Sequence, residues 1–285
     1  MSDSMTLPLP LPPAGRPAGG PAARRTGPLL KMRAELDDTV RYLMRFDDPL
    51  PIHEHVGQWV ELTFSGKIEC TSCGRSIKKT YGEGACYPCF QKESQFSPCI
   101  IRPELCRGHL GEGRDPDWEA AHHVQPHVVY LAWTGALKVG VTRATNVPTR
   151  WLDQGAGAAI KLAEVPYRQL AGEIEVALKA HLSDRTQWKR MLAAGAPDVE
   201  LVAEKRKYAA LVPDHLQQWI TDDDEITRPN YPLPKPPLKP TRISLDKTAK
   251  VEGILTGIRG QYLVFEGERA INVRRHAGYI VTCSV

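Results

Sequence analysis

Membrane-spanning segments are absent from the sequence, since none of its apolar runs approaches the roughly 18–20 residues that a bilayer requires. An export signal is absent too, because prolines break up the apolar residues near the N-terminus and no uninterrupted apolar segment follows a basic start. An internal repeat is also lacking. These absences argue against a membrane partner and a repeat array, and we expect the protein in the cytoplasm.

The net charge of +4 is small, but the charged residues are unevenly distributed. Residues 128–192 contain nine lysines and arginines against five acids, and residues 235–285 contain nine against four. Residues 196–225, between them, contain eight acids against three basic residues. Two basic blocks separated by an acidic one favour a polyanionic partner, although a solvated surface would show the same pattern.

The chain of 285 residues is longer than one small domain needs, and its hydrophobic content of 42% is enough for real cores. Composition and periodicity predict an α+β protein with a zinc-ribbon-like module, a central α/β domain and a small C-terminal antiparallel β-domain. The predicted segments are a disordered Pro/Ala-rich tail (1–27), an N-terminal β segment (28–69), the zinc-binding module (70–126), the central domain (127–195), an acidic helical segment (196–228), a Pro-rich linker (229–240) and the β-domain (241–285).

Six of the seven cysteines cluster between Cys70 and Cys106. In a chain without an export signal, their paired spacing favours a metal site over disulfide bonds. Cys70 and Cys73 form one CxxC pair, and Cys86 and Cys89 form a second pair after twelve intervening residues. Four thiolates in this pattern suit a closed tetrahedral Zn²⁺ site, which would be structural because no coordination position is left for a substrate. A redox dithiol and an iron–sulfur cluster are the alternatives.

A second zinc site is predicted from Cys99, Cys106, His109 and His123. Two thiolates and two imidazoles are a common ligand set for zinc. Isolated histidines are more often ordinary surface or core residues, so this second site depends on how the fold brings these four residues together.

The centre of the chain reads as a β-hairpin followed by a helix. β-Forming stretches at 128–131 and 137–142 flank a turn at Thr134–Gly135. Asn146 is the expected N-cap of the helix, with Pro148 in its first turn.

Two registers are open for this hairpin. A two-residue turn would place Tyr130 and Lys138 on opposite faces, whereas a turn one residue longer would place them on the same face. Beyond it, residues 170–182 form an amphipathic helix, and Glu175 borders its apolar stripe. A carboxylate at the edge of a buried face is well placed for a pocket.

These residues resemble the site of the GIY-YIG nuclease superfamily. Tyr130 ends the first triplet, Val-Val-Tyr, and Lys138 begins the second, Lys-Val-Gly, as in a phage-like branch of that superfamily. The resemblance implies that Tyr130 helps to activate water, that Arg150 stabilises the charge developing on the phosphate, and that Glu175 holds one Mg²⁺ or Mn²⁺ ion. Lys138, and Arg143 just before the helix, are expected to bind the substrate.

Each of the three catalytic candidates also has an ordinary structural interpretation. Tyr130 can be a strand aromatic that packs in the core. Arg150 can pair with Asp153 along its helix, and Glu175 can pair with Lys179 in the same way.

The chain as a whole resembles an uncharacterised prokaryotic family, domain of unknown function 2797. The matching motifs are CTSCGR from Cys70, CYPCF from Cys86, RPELC from Arg102, KVGVTR from Lys138, PTRWLDQGA from Pro148 and GQYL from Gly260. The resemblance covers roughly residues 28–285 and implies architecture more than activity. The family pattern has further cysteines near the positions of Gly113 and His123 in this chain.

Together these features predict a zinc-containing nucleic-acid-binding protein with a GIY-YIG-like domain, and they leave metal-dependent cleavage of phosphodiester bonds open. One alternative is a scaffold that binds nucleic acid or a protein partner without catalysis. Another is an enzyme that acts on a different substrate, because one fold can host unrelated functions.

Overall fold

The computed structural model describes residues 23–285, which form a mixed α+β structure. The strands are β1 (Arg24–Pro28), β2 (Arg33–Glu35), β3 (Arg41–Leu43), β4 (Trp59–Glu69), β5 (Ser76–Ile77), β6 (His127–Trp133), β7 (Leu137–Arg143), β8 (Ala158–Val165), β9 (Ile226–Thr227), β10 (Thr241–Ile243), β11 (Lys250–Arg259), β12 (Tyr262–Phe265), β13 (Arg269–Asn272) and β14 (Tyr279–Ser284). The helices are α1 (Tyr87–Lys92), α2 (Pro116–His123), α3 (Thr149–Asp153), α4 (Arg168–Lys179), α5 (Trp188–Ala193) and α6 (Leu201–Ala209). Within residues 23–285, no helix combines the length and apolar character needed to cross a membrane.

The first sheet joins the two ends of the described chain. Its strand order is β1-β14-β4-β11-β12-β13-β10, with β5 added to β4. Strand β4 alternates as the sequence predicts, with Val60 and Leu62 fully buried, and it lies between β14 and β11. Strand β4 of the N-terminal segment is therefore in one sheet with the C-terminal strands. Strands β2 and β3 form a separate two-stranded sheet on the same core, so the prediction of the two segments as separate units is wrong. Strand β10 pairs with β13 in parallel, so the C-terminal strands are not purely antiparallel either.

The predicted disordered tail overlaps the first sheet. Residues 24–27 belong to β1 and pair with β14, so the prediction of disorder is wrong for them. Residues 1–22, which carry the rest of that prediction, lie outside the described residues. Strand β1 is poor in apolar residues, but its backbone supplies hydrogen bonds to β14 that composition does not reveal.

The second sheet has the order β7-β6-β8-β9 and forms the central domain. Sequence reasoning identified the β6–β7 hairpin but missed β8, which pairs with the other side of β6. The segment of β8, AAIKLAEV, is rich in alanine and largely buried on both faces, so it shows neither strong β propensity nor alternation. Helix α4 covers this sheet with its buried Ala171, Ile174 and Leu178.

The acidic segment 196–228 is part of the central domain, not a separate spacer. Helix α6 packs on β8 and buries Leu201 and Tyr208 in the same core, and β9 pairs with β8. The predicted boundary at residue 195 is therefore wrong. The apolar face of α6 contains few residues, so the acidic composition of the segment dominated its interpretation from the sequence.

The Pro-rich segment 229–240 packs along the first sheet and is not a free linker. The backbone N–H of Ile258 donates to the carbonyl of Pro232 at 2.8 Å, and Leu233 is buried beside it. A Cβ at Gly257 would lie 2.4 Å from Cδ1 of Leu233. Glycine at this position permits the close approach of the segment to β11.

Helix α3 begins later than the sequence predicts. Asn146 ends a short 3₁₀ turn, Ala144–Asn146, and α3 starts at Thr149 after Pro148. With its amide oriented to satisfy both groups, the side-chain oxygen of Asn146 accepts from the Arg143 guanidinium at 3.2 Å. Asn146 is therefore engaged with Arg143 and does not cap the helix.

Candidate functional site

The first cysteine group consists of Cys70, Cys73, Cys86 and Cys89. Cys70 follows β4 directly, and Cys86 and Cys89 lie at the start of α1, so a strand end and a helix start bring the two pairs together. The four Sγ atoms all lie within 4.8 Å of one another, and those of Cys73 and Cys86 are 3.8 Å apart. Zn–S bonds of about 2.3 Å in a tetrahedron place sulfurs about 3.8 Å apart. The group can hold a metal such as zinc.

Backbone donors prepare this group to carry negative charge. The N–H groups of Cys86 and Cys73 donate to Sγ of Cys70, at 3.1 and 3.5 Å. Burial opposes ionisation of the Cys70 thiol, but these donors outweigh burial and lower its pKa to about 6. A thiolate is the form that binds metal, so the local backbone favours metal binding.

The second metal group consists of Cys99, Cys106, Glu119 and His123. All four residues are buried, and their ligand atoms lie within 4.8 Å of one another. Nδ1 of His123 lies 3.4 Å from Sγ of Cys106 and 3.9 Å from Sγ of Cys99, close to the edge of a zinc tetrahedron. It also contacts the Glu119 carboxylate. A hydrogen bond from Cys99 is the largest effect lowering the pKa of Cys106 to about 4. This group can also hold a metal such as zinc.

Glu119 stands where the sequence predicted His109. The His109 ring instead stacks on Tyr167, with centroids 4.5 Å apart, so its assignment to the group is wrong. Glu119 lies one helical turn before His123 on α2, and this spacing brings both side chains to one face. A Cβ added at Gly113 would lie 2.4 Å from Cγ of Glu119. The carboxylate therefore occupies the space that a side chain at position 113 would need.

The hairpin register places Tyr130 and Lys138 on the same face of the second sheet. Tyr130 pairs with Gly140 and Ala132 pairs with Lys138, across a loop of residues 134–136. The longer of the two turns considered above is thus the observed one. A Cβ at Gly140 would lie 2.6 Å from the Tyr130 hydroxyl, so glycine makes room for the phenol.

Buried Tyr130 and the half-buried Arg150 and Gln154 form a polar cluster in the candidate site. The Tyr130 hydroxyl donates to Oε1 of Gln154 at 2.8 Å. Burial raises the pKa of Tyr130, although the Arg150 guanidinium lowers it in part. Nε of Arg150 is buried and has no hydrogen-bond partner among residues 23–285. The cluster therefore holds a protonated phenol and a cation with an unused donor.

Glu175 lies buried on α4, the helix that covers the second sheet. Its carboxylate is 3.3 Å from Nζ of Lys179, which is 3.2 Å from the Asp184 carboxylate. Burial raises the pKa of Glu175, and Lys179 opposes that shift. Nζ of Lys138 donates to the carbonyl of Asp184 at 2.7 Å. Burial, and then repulsion from Arg150, lower the pKa of Lys138 to about 8.

One cleft of about 690 Å³ brings these residues together. Tyr130, Lys138, Arg150 and Glu175 all line it, although they come from β6, β7, α3 and α4. Its other wall is formed by the cysteine-rich module. Further polar residues that line the cleft are Glu83, Gln95, Ser97, Arg114, Gln154, Arg168, Asp184 and Arg274.

Arg143 lies outside the cleft, in an adjoining pocket of about 390 Å³. Trp118 and His122 of α2 line this pocket, and Arg150 and Arg168 line both the pocket and the cleft. We call it the Trp118 pocket. Arg143 was predicted to share a site with the other candidates, but it lies in a neighbouring cavity. Arg150 is the candidate that lines both cavities.

The second metal group is seated directly on the helix that carries Glu175. The 3₁₀ turn Pro103–Leu105, between Cys99 and Cys106, packs on α4 at Gly172. A Cβ at Gly172 would lie 2.1 Å from the backbone nitrogen of Glu104. Arg168, at the start of α4, donates to the carbonyls of Cys99 and Ile100 at 3.0 and 2.9 Å. This contact positions the cysteine-rich wall of the cleft.

A family described as "Protein of unknown function (DUF2797)" matches residues 57–281, which is most of the chain. The protein belongs to the DUF2797 family. This membership confirms the whole-chain resemblance inferred from the sequence motifs. No curated protein and no solved structure is significantly similar to the chain.

The DUF2797 match includes both metal groups and every residue of the cleft. Strands β1, β2 and β3 precede the matched segment, although β1 pairs with β14 at its end. Sequence reasoning missed Arg114, Arg168 and Arg274 as cleft residues. Arg168 had one usable signal, its place at the start of the helix that carries Glu175, whereas the other two had none.

Proposed function

We propose that this DUF2797 protein binds nucleic acid and hydrolyses its phosphodiester bonds with a divalent cation, on a GIY-YIG-like core. The observation that carries the proposal is the meeting of Tyr130, Lys138, Arg150 and Glu175 in one cleft. Four separate elements supply these side chains, and the hairpin register puts the first two on one face. A tyrosine, two cations and a buried carboxylate around one cavity suit electrostatic stabilisation of a phosphoryl group.

Glu175 is the residue that would hold Mg²⁺ or Mn²⁺. Its carboxylate lines the cleft near that of Asp184, and hard oxygen ligands suit both ions. A bound ion would supply Lewis-acid activation of the phosphate and of water. Lys179 lies between the two carboxylates and balances their charge in the structure described here.

The other residues take roles that follow from their surroundings. Arg150 presents a partly buried cation whose Nε is buried and unused as a donor, which suits a phosphate oxygen. Tyr130 has a raised pKa, so at neutral pH its phenol remains protonated and orients water or a phosphate oxygen instead of removing a proton. Lys138, with a pKa near 8, is mainly protonated at neutral pH and can contact the substrate.

We further propose that both metal groups hold zinc in a structural role. Each offers four side-chain ligands, which complete a tetrahedral shell and leave no position for a substrate. None of the seven cysteines forms a disulfide within residues 23–285. Thiolates reserved for metal suit a reducing compartment, which supports a cytoplasmic location.

A cleavage assay tests the nuclease proposal. Purified protein is incubated with labelled DNA and RNA in Mg²⁺ or Mn²⁺, and Arg150→Ala should slow cleavage by roughly 100- to 1000-fold, as loss of a charge-stabilising donor does. Glu175→Gln should lower the rate at least as much. The matched control is Glu173→Gln on the same helix, whose carboxylate is near His215 outside the cleft. Undiminished cleavage in Glu175→Gln would attribute the activity to a contaminant and remove the proposal.

A binding scaffold without catalysis is the second candidate, and the Glu175–Lys179 ion pair is the observation that favours it. A carboxylate already neutralised by a neighbouring lysine binds a cation less readily. Affinity for nucleic acid that falls steeply with salt, combined with no cleavage in either metal, would select the scaffold.

A further inference from the structure

The cleft adjoins two other cavities. It shares Arg150 and Arg168 with the Trp118 pocket. Through other residues, Glu83 and Arg274, it adjoins a pocket of about 290 Å³ next to Tyr262, which we call the Tyr262 pocket. We treat these three adjoining cavities as one groove, which includes Glu175.

The groove is strongly basic along its whole length. Among the described residues that line it, Glu83, Glu175 and Asp184 are the acidic ones, and Glu83 is paired with Arg274. The basic residues that line it are Arg114, Lys138, Arg143, Arg150, Arg168, Arg242, Arg274 and Arg275. A row of cations in a groove suits a linear polyanion better than one small anion.

Each of the two pockets beside the cleft has a pair of stacked aromatic rings. In the Trp118 pocket, the rings of Trp118 and His122 are stacked with centroids 4.0 Å apart and planes 9° from parallel. At the Tyr262 pocket, Tyr262 and Trp188 are stacked with centroids 5.5 Å apart, also at 9°. The Arg242 guanidinium lies 5.0 Å from the Trp188 ring centroid. Such surfaces bind the faces of unpaired bases.

We propose that the groove binds a single-stranded nucleic acid, whose unpaired bases stack on the Trp118 and Tyr262 platforms and whose backbone crosses the cleft between them. This inference rests on the proposed function, because it treats the cleft as a phosphodiester site. A duplex offers its groove edges and backbone but hides the base faces inside its own stack, so it would leave both platforms unused. Each platform pocket adjoins the cleft through different residues, so a strand bound to both platforms would cross the cleft that Glu175 lines.

Binding is measured by fluorescence anisotropy in a buffer with Ca²⁺ in place of Mg²⁺ and Mn²⁺. The probes are labelled single strands of increasing length and a blunt duplex of the same sequence, made in both DNA and RNA. We expect single strands to bind at least tenfold more tightly than the duplex. Affinity should rise with length until one strand reaches both platforms. The DNA and RNA arms decide which of the two chemically similar polymers is preferred.

Platform variants test the path directly. Trp118→Leu and Tyr262→Leu should each weaken binding of a long single strand by roughly 5- to 100-fold, as loss of one stacked base does. Arg143→Ala should weaken it through a lost phosphate contact. Matched controls are Tyr87→Leu, an aromatic 50% exposed outside the groove, and Arg185→Ala, whose side chain is 92% exposed. Zinc content and the melting temperature confirm that each variant is folded.

The outcomes separate this inference from the proposed nuclease. Equal affinity for duplex and single strand, or a platform variant that binds like the Tyr87→Leu control, would overturn the proposal that the groove binds a single strand. Cleavage restricted to duplex would overturn it while leaving the nuclease in place. Tight, length-dependent binding of single strands without any cleavage would support the groove and remove the nuclease.

Discussion

The two metal groups differ in what they attach the cysteine-rich module to. The first cysteine group follows β4, and Gly84 beside it packs so closely on the first sheet that a Cβ would lie 2.7 Å from the carbonyl of Ala277. The second metal group packs on α4 of the central domain, through the turn that meets Gly172. The cleft lies between these two attachments. One module with two metal groups thus bridges the two sheets, which also meet directly where Gln261 donates to the Asp153 carboxylate of α3 at 3.0 Å.

The ligand sets of the groups differ as well. The first group has four thiolates, and Cys73 is exposed. The second combines two thiolates, an imidazole and a carboxylate, all buried. Buried ligands cost more when left unpaired, because the desolvated thiolate or carboxylate has no water to replace the metal. We expect this cost to appear as a lower affinity of the second group for its ion, whereas loss of a ligand from the four-thiolate group should mainly affect the folding of the module.

The largest effect should come from removing a ligand of the first group. We expect Cys86→Ala to lower the zinc content from two ions per chain to one or fewer and to unfold the cysteine-rich module. Structural zinc contributes on the order of 10 kcal/mol in small zinc modules. Elemental analysis and circular dichroism measure both changes. Cys283→Ala is the control, since Cys283 is buried in β14 away from both groups and should cost only about 1 kcal/mol. Full zinc content in Cys86→Ala would contradict the assignment.

A smaller effect should distinguish Glu119 from His109 at the second group. Glu119→Gln replaces a negative ligand by a neutral one of the same shape, and we expect the affinity of the second ion to fall by roughly 10- to 100-fold. His109→Ala should leave both ions in place, because His109 stacks on Tyr167 instead. Competition with a colorimetric chelator measures the release. Loss of the second ion in His109→Ala alone would restore the ligand set predicted from the sequence.

The seating of the second group on α4 can be weakened without touching a ligand. Gly172→Ala would place a Cβ 2.1 Å from the Glu104 backbone nitrogen, and we expect a loss of about 1–3 kcal/mol in the free energy of unfolding. Alanine is the better helix former, so helix propensity alone predicts the opposite sign. Gly195→Ala is the control, with no atom within 4 Å of the added Cβ. Denaturant titrations of both variants give the difference, and equal stabilities would show that this contact is loose.

The smallest effect should appear in the pH dependence of binding. The pKa of Lys138 is lowered to about 8, so its positive charge is present below pH 8 and is lost as the pH rises above it. Arg150, Glu175, Asp184 and Lys179 are the charged groups around it. We expect the affinity for a single strand to fall a few-fold between pH 7 and pH 9 at constant ionic strength.

Two variants of Lys138 isolate its part in that fall. Lys138→Arg keeps its charge throughout this range, so its affinity should be nearly independent of pH. Lys138→Met has no charge to lose and should show weak, flat binding. The same fall with pH in Lys138→Met would place the titrating group elsewhere.

Local patterns in the sequence carried much of the fold. The alternation of β4 predicted its burial, and the paired spacing of Cys70, Cys73, Cys86 and Cys89 predicted a group that the structure brings together. The hairpin β6–β7 and the apolar stripe of α4 were predicted for the same reason. The strand, hairpin and helix patterns repeat within a few residues, where backbone geometry alone decides which side chains share a face.

Contacts between distant segments were decided only by the tertiary structure. Pairing of β4 with β11 and β14 depends on chain segments about 200 residues apart, and no local pattern records it. Glu119 replaced His109 because helix α2 turns its carboxylate toward Cys99 and Cys106. Arg114 and Arg274 joined the cleft because the module docks on both sheets. The sequence determined the elements and the chemistry of their side chains. Packing determined which elements meet, because the free energy gained by burying apolar surface depends on contacts between distant parts of the chain.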